Sequence, residues 1–359
     1  MNIDRRTFVG AGSITMLASS TPAAITRAVA QVGSATRGDL LAHVAPELRP
    51  AARKMLEMGQ MPELTNAILP SVRTKATSFG MQPRADVPVA QHKVPVGGSD
   101  DNVLVYVINA KSGTNRPAIL HTHGGGFILG SAKQELLRLQ DFATALNCTI
   151  VSVEYELAPE ARITKSLEQN YAGLRWLHQQ AATLGIDRSR IAVMGESAGG
   201  GHAALLAFAA RDRGEVPLVF QLLVYPMLDD RTGSTRLLPP QFGSVGWDPA
   251  SNRFGWRALL GMDPGSDGVP RLLVPARRDD LAGLPPAFIG VGGIDLFASE
   301  DIDFAGRLLE AGVATELIVV PGAFHGFDAI AADTKLAERF NMAKLEALRR
   351  AFSQDVGPV

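Results

Sequence analysis

Residues 195–202 read GESAGGGH and directly follow the apolar run RIAVM at 190–194. The small residues after Ser197 lead into AALLAF, which continues with the apolar spacing of a helix. Ser197 is therefore predicted to lie in a turn between a strand and a helix, where the pattern GxSxG is typical of a nucleophile elbow. A serine that only caps the helix is the alternative interpretation.

A glycine-rich stretch earlier in the chain supports the first interpretation. HTHGGGF, at 121–127, follows the strand-like run PAIL. Three consecutive glycines after a strand free backbone N–H groups to face a substrate oxygen, as in an oxyanion hole. A flexible turn is the alternative, but a turn does not require three glycines.

A base and an acid are predicted after later strands. His325, in PGAFHGFD, follows the last predicted strand, so we expect it to act as the general base. Asp295 is the first acidic residue after the strand-like run AFIGVGG, and we expect it to orient His325. Asp301 and Asp303 are the alternatives, although both fall within the helical pattern that follows.

Alternating strand and helix patterns predict an α/β fold: a mostly parallel central sheet with helices on both faces and a helical cap. The predicted strands are residues 103–109, 118–123, 149–155, 190–195, 219–226, 287–293 and 315–322. Residues 31–85 and 228–280 do not follow this alternation, and we expect them to form the cap over the strand ends. A surface excursion without function is the alternative for these segments.

The first thirty residues differ from the rest of the chain. Arg5 and Arg6 precede a weakly apolar run rich in Gly, Ser and Ala, and residues 28–30 read AVA. This pattern is typical of a twin-arginine export signal, so we expect residues 1–30 to be removed and the mature chain, 31–359, to reach the periplasm or the exterior. An amphipathic helix that stays attached is the alternative.

Composition limits the classes of partner. Among 359 residues the formal net charge is -1, which favours neither nucleic acid nor anionic lipid as a partner. No apolar run of the mature chain is long enough to span a membrane. The histidines form no HExxH motif and Cys148 is the single cysteine, so we expect neither a metal nor an organic cofactor, and a buried role for Cys148.

Taken together, the motifs HGGGF, YELAPE, GESAGG, YPMLDD, DLFASED and HGF resemble those of the hormone-sensitive-lipase-like esterases, a bacterial family IV group of α/β-hydrolases. The resemblance spans residues 85–355 and implies a serine carboxylic-ester hydrolase with Ser197, Asp295 and His325 as its triad. It also implies that the backbone N–H groups of Gly125, Gly126 and Ala198 form the oxyanion hole.

One position departs from the family pattern. Glu156 stands where relatives commonly have arginine, which removes a positive charge expected near Glu196. The functional alternatives are an amidase or lactonase with the same residues, and a non-catalytic receptor for a small ligand, since the plant gibberellin receptors resemble this family but lack the histidine. Phe127, Trp247 and Trp256 are candidates for lining the pocket or packing the cap.

Overall fold

The strands of the computed structural model form one sheet within the residues that it describes, 37–59, 63–77, 82–98 and 101–353. The predicted export signal, with Arg5 and Arg6, lies outside these residues, as does the start of the first predicted cap segment. The strands are β1 Val89–Pro95, β2 Asn102–Ile108, β3 Arg116–Thr122, β4 Thr149–Glu154, β5 Ile186–Glu196, β6 Phe220–Val224, β7 Ala287–Gly292 and β8 Thr315–Val320.

The sheet order is β1-β2-β4-β3-β5-β6-β7-β8. β1 pairs antiparallel with β2 and β2 antiparallel with β4, while every later pairing is parallel. The predicted α/β fold with a mostly parallel sheet is confirmed.

Helices connect and cover the strands. They are α1 Arg37–Ala42, α2 Arg49–Glu57, α3 Leu69–Thr77, α4 Leu136–Leu146, α5 Ile163–Gln179, α6 Ala181–Leu184, α7 Ala198–Arg213, α8 Pro249–Leu260, α9 Ala298–Glu310, α10 Phe327–Ile330 and α11 Lys335–Ser353. Short 3-10 helices lie at Pro46–Leu48, Ala132–Glu135, Arg271–Leu273 and Pro275–Arg277.

Successive residues of the central strands face opposite sides of the sheet, and both sides are buried. On β3, Ile119 belongs to the apolar cluster that includes Leu348 of α11, whereas Leu120 belongs to the cluster that includes Leu174 of α5. Cys148 is fully buried, as expected, and burial raises the pKa of its thiol to about 12. The near-continuous apolar strands of the sequence follow from this two-sided burial.

β1 is a strand that the sequence pattern does not predict. Its residues VAQHKVP are mostly exposed, and Val94 is its buried side chain. An edge strand pairs with one neighbour and faces solvent, so it needs no apolar run to be stable. Residues 190–195 are a strand as predicted, but β5 begins four residues earlier, at Ile186.

A third apolar cluster joins the two segments expected to form the cap. It contains Leu64 and Leu69 from the first segment and Trp256 from the second, together with Phe127 and Ala198 beside the strand ends. The boundaries of the cap remain a prediction, but these contacts place both segments against the carboxyl ends of the parallel strands, where ligands bind in such sheets.

Candidate active site

Ser197 lies in the sharp turn between β5 and α7. Its backbone has φ 56° and ψ -123°, which is a strained conformation for a residue with a side chain. The turn is tight enough that a Cβ on Gly195 would lie 2.3 Å from the carbonyl oxygen of Gly199. The N–H of Ser197 donates to the Val224 carbonyl at 2.9 Å, which ties the turn to β6.

His325 and Asp295 converge on this serine. In the loop after β8, Nε2 of His325 lies 3.0 Å from Oγ of Ser197. On the other side of the ring, Nδ1 lies 2.8 Å from Oδ2 of Asp295, which follows β7. The structure therefore places the three residues in one line of hydrogen bonds, although 128 positions separate the serine from the histidine in the chain.

Neither alternative acid faces the histidine. Asp301 is fully buried in α9, and its two carboxylate oxygens have no hydrogen-bond partner among the described residues. Burial, together with the nearby charge of Glu300, raises the pKa of Asp301 well above its usual value. Asp303 is exposed and pairs with Arg236 at 2.6 Å.

The glycine loop, residues 123–128, lies directly beside the serine. Among the described residues, no group accepts a hydrogen bond from the N–H of Gly125, Gly126 or Ala198, so all three donors can serve a bound molecule. Gly126 has φ 59°, and a Cβ there would lie 2.2 Å from the ring of Trp247. The neighbouring Gly124 also lies against the serine, because a Cβ on it would lie 3.5 Å from Cβ of Ser197.

Three hydrogen bonds hold the main chain of the glycine loop. The hydroxyl of Tyr155 donates to the His123 carbonyl at 2.7 Å, and the N–H of Ala158 donates to the Phe127 carbonyl at 2.9 Å. Nε of Arg73, from α3, donates to the Ile128 carbonyl at 2.8 Å. The motif YELAPE and the first predicted cap segment therefore both fix this loop.

The three aromatic candidates are buried beside the glycine loop. Trp247 is 8% exposed and covers Gly126, and its Nε1 donates to Oδ1 of Asn252 at 3.2 Å. Phe127 and Trp256 are buried and pack edge to face with ring centroids 5.0 Å apart. All three rings belong to the third apolar cluster, and within it Trp247 is the ring that lies against Gly126.

Glu196 precedes the serine and carries a buried ion pair. Its Oε2 lies 2.9 Å from Nη2 of Arg138 and 2.9 Å from Nε2 of His121. Burial acts to raise the pKa of Glu196, but the charge of Arg138 and the contacts with Arg138 and His121 lower it below the usual range, so the carboxylate is ionised. Nδ1 of His121 lies 2.8 Å from Oγ of Ser152, which orients the ring.

Glu156 replaces the arginine that relatives commonly have, and Arg138 supplies the positive charge beside Glu196 instead. Glu156 itself is 45% exposed, pairs with Lys165 at 2.9 Å and accepts from Gln169 at 2.8 Å. Each carboxylate therefore has its own cation, Lys165 for Glu156 and Arg138 for Glu196. Sequence reasoning missed Arg138 because it lies inside an ordinary helical run with no motif around it.

Two further histidines lie buried behind the glycine loop. Burial lowers the pKa of His123 to about 4 and that of His202 to about 3, so both are neutral at pH 7. Within residues 37–353, apart from the short gaps, no three His, Cys, Asp or Glu side chains are grouped to hold a metal ion. In the same part of the chain, no helix combines the length and apolarity needed to cross a bilayer.

Comparison with known proteins agrees with this geometry. A family model described as the alpha/beta hydrolase fold matches residues 119–329, more than half of the chain. The chain belongs to the α/β-hydrolase family. Within that family it is one of the hormone-sensitive-lipase-like esterases, as the motifs indicated.

Individual relatives of this α/β-hydrolase are esterases. Carboxylesterase NlhH of Mycobacterium tuberculosis is 34% identical over 307 residues, which is 84% of this chain and 88% of that protein. The solved structure of a bacterial heroin esterase superposes with a TM-score of 0.77 at 33% identity, covering 88% of this chain and 99% of that one. Esterase LipW from Mycobacterium marinum gives a TM-score of 0.71, also at 33% identity, and covers 88% and 98%.

The α/β-hydrolase described here is therefore an enzyme, a serine hydrolase of the carboxylesterase type. A receptor without catalytic activity does not fit these relatives, nor the presence of His325 against Ser197.

Proposed function

We propose that this enzyme hydrolyses carboxylic esters through an acyl-enzyme on Ser197. The observation that carries the proposal is the continuous line of hydrogen bonds from Asp295 through His325 to Ser197, at 2.8 Å and 3.0 Å. This is the arrangement in which a histidine can remove the serine proton while a carboxylate stabilises the resulting imidazolium.

The reaction follows from these positions. Oγ of Ser197 attacks the ester carbonyl carbon as Nε2 of His325 accepts the hydroxyl proton. The tetrahedral intermediate then breaks its bond to the leaving oxygen, which takes the proton from His325 and departs as an alcohol. Water, deprotonated by the same nitrogen, attacks the acyl-enzyme, and the carboxylic acid is released as the proton returns to Ser197.

Gly125, Gly126 and Ala198 complete the proposed site. No group in the described part of the chain accepts from their N–H groups, and Ala198 opens α7, where the helix N-terminus favours negative charge. In this role they bind the carbonyl oxygen more strongly as it becomes negative, which lowers the barrier rather than only binding the substrate.

The substrate class that we propose is a small ester with a short acyl chain or an aryl leaving group. Ser197 is only 7% exposed, and Trp247 closes one side of the glycine loop. With p-nitrophenyl esters of increasing acyl length, kcat/KM for acetate and butyrate should exceed that for decanoate by about tenfold or more. A preference for decanoate, or faster cleavage of the matching anilide or lactone, would contradict this choice.

Replacing the nucleophile tests the mechanism itself. Ser197→Ala should lower kcat for p-nitrophenyl acetate by about a million-fold, with substrate binding retained, because no other group takes the place of the attacking oxygen. Turnover comparable to that of the parent would reject Ser197 as the nucleophile. A Ser189→Ala variant, changed on the exposed part of β5, is the matched control and should keep the parental rate.

We also propose that the enzyme is exported through the twin-arginine route. The support is the sequence alone: Arg5 and Arg6 ahead of a weakly apolar run, with AVA at 28–30 as the cleavage site.

A further inference from the structure

A buried group of polar side chains lies behind His325, and the hydrolysis steps do not use it. The hydroxyl of Tyr225 donates to Oδ1 of Asp328 at 2.9 Å, and Nζ of Lys344 lies 2.6 Å from Oδ2 of the same carboxylate. These three residues, the Tyr225 cluster, are 5%, 2% and 1% exposed.

Stability alone does not account for the Tyr225 cluster. Taking a lysine and an aspartate out of water is costly, and apolar residues of similar volume often stabilise a core as well or better. Burial acts to raise the pKa of Asp328, but the charge of Lys344 lowers it below the usual value, so the carboxylate is ionised. Both of its oxygens are thereby committed to directed contacts, which fix the hydroxyl of Tyr225 in one position.

The ring of Tyr225 touches the ring of His325. Their centroids are 4.7 Å apart and the planes are inclined at 64°. On another side Phe297 contacts the same imidazole, with centroids 5.2 Å apart and an angle of 86°. Two aromatic rings therefore limit the rotation of His325 about its side-chain bonds.

The main chain of Tyr225 is fixed as well. It follows β6 with φ 37°, and its N–H donates to the Gly290 carbonyl of β7 at 2.6 Å. Its partner Asp328 stands three residues after His325, in the helix that continues the same loop. The hydroxyl thus ties the end of β6 to the segment that carries the histidine.

From these contacts we propose that Tyr225 is a positioning residue: held by Asp328 and Lys344, its ring keeps the His325 imidazole in the orientation that joins Asp295 to Ser197. The inference rests on the proposed role of His325 as the base. It assigns to Tyr225 an effect on the rate of chemistry and little effect on substrate binding.

Two substitutions at Tyr225 separate the ring from the hydroxyl. Tyr225→Leu removes both, while Tyr225→Phe removes only the hydroxyl. Tyr225→Leu should lower kcat about a hundredfold, the loss that a misplacement of about 1 Å can cause, and Tyr225→Phe about tenfold, with KM within about threefold of the parent for both. The rate is expressed per reactive serine, counted with a covalent phosphonate, so that misfolded protein does not enter it.

Tyr171 provides the matched control. Tyr171 lies on α5, away from the site, and is also buried, at 2% exposed; its hydroxyl donates to Glu215 at 3.0 Å. Tyr171→Leu and Tyr171→Phe should keep the parental kcat per reactive serine. If the Tyr225 variants lose no more than these, the positioning role is wrong, whereas a parent enzyme whose hydrolysis does not depend on Ser197 would instead overturn the proposed function.

A pair of double variants tests the route through Asp328. Asp328→Asn with Lys344→Met removes both charges but leaves an oxygen to accept from Tyr225, and kcat should stay within about threefold of the parent. Asp328→Leu with Lys344→Met removes the acceptor, and kcat per reactive serine should fall about tenfold, as in Tyr225→Phe. Equal rates in the two double variants would show that the hydroxyl contact does not position the histidine.

Discussion

Asp295 lies where water does not reach. The side chain is fully buried, Oδ2 faces Nδ1 of His325, and Oδ1 accepts from the N–H of Phe297 at 3.0 Å. With both oxygens occupied, the carboxylate has one orientation, and it offers an acceptor to Nδ1 of His325. In the proposed mechanism this contact keeps the proton of the neutral ring on Nδ1 and leaves Nε2 free to act as the base.

Exchange of each candidate acid for its amide tests this assignment. Asp295→Asn should lower kcat near neutral pH by about three to four decades, because the amide permits the wrong tautomer of His325. Asp301→Asn and Asp303→Asn, which do not contact the histidine, should stay within about tenfold of the parent. Steady-state rates with one chromogenic ester measure these losses. A small loss of kcat in Asp295→Asn together with a large loss in Asp301→Asn would show that Asp301 is the acid.

Asp301 should instead influence stability, and in a pH-dependent way. Burial raises its pKa in the folded state, so the folded chain keeps a proton that the unfolded chain releases above about pH 4. Stability is therefore lost as the pH rises from that value toward the raised pKa of the folded state. The amide in Asp301→Asn cannot ionise. The free energy of unfolding of this variant should therefore rise relative to that of the parent as the pH increases.

Urea unfolding of the parent and of Asp301→Asn at about pH 4 and about pH 8 measures this difference in free energy of unfolding. The difference between the two free energies should be larger at the higher pH. A difference that is the same at both pH values would show that folding does not raise the pKa of Asp301.

At the scale of elements, the site is a meeting of loops at one edge of the sheet. β5, β7 and β8 are parallel, so their carboxyl ends lie on the same side and carry Ser197, Asp295 and His325. The glycine loop after β3 joins them there, and α8 packs on it so closely that a Cβ on Gly255 would lie 2.4 Å from the Gly126 carbonyl oxygen. The donors of this loop are therefore fixed from two sides.

Gly126→Ala should disturb those donors. The added Cβ would meet the Trp247 ring at 2.2 Å, and the φ of 59° disfavours any side chain, so the loop must shift. If Gly126 supplies an oxyanion-hole N–H, kcat should fall about a hundred- to a thousandfold. Gly306→Ala in α9 is the control, because nothing lies within 4 Å of its added Cβ, and it should keep full activity.

The whole molecule combines a conventional hydrolase body with a predicted export signal. If Arg5 and Arg6 direct translocation, Arg5→Lys with Arg6→Lys should leave the precursor in the cytoplasm with residues 1–30 attached. Fractionation followed by mass determination measures both the location and the N-terminus. Export of the double variant at the parental level would remove the support for this route.

Some of the site could be predicted because it depends on local pattern. A strand, a glycine-flanked serine and a helix specify the turn at Ser197 within ten residues, and the order of later strands is enough to nominate Asp295 and His325. Parallel strands end at one edge, so residues that follow them converge however far apart they lie in the chain. The glycine loop could be predicted for the same reason, because it also follows a parallel strand.

Other features depend on partners that only the folded chain brings together. Arg138 reaches Glu196, and Lys344 reaches Asp328 beneath Tyr225, from helices whose own sequences carry no motif. The exposed strand β1 is a strand because β2 pairs with it. A local pattern determines backbone conformation over one turn or strand, but the partner of a buried charge is chosen by packing across the whole sheet, and that choice leaves no periodic trace in the sequence.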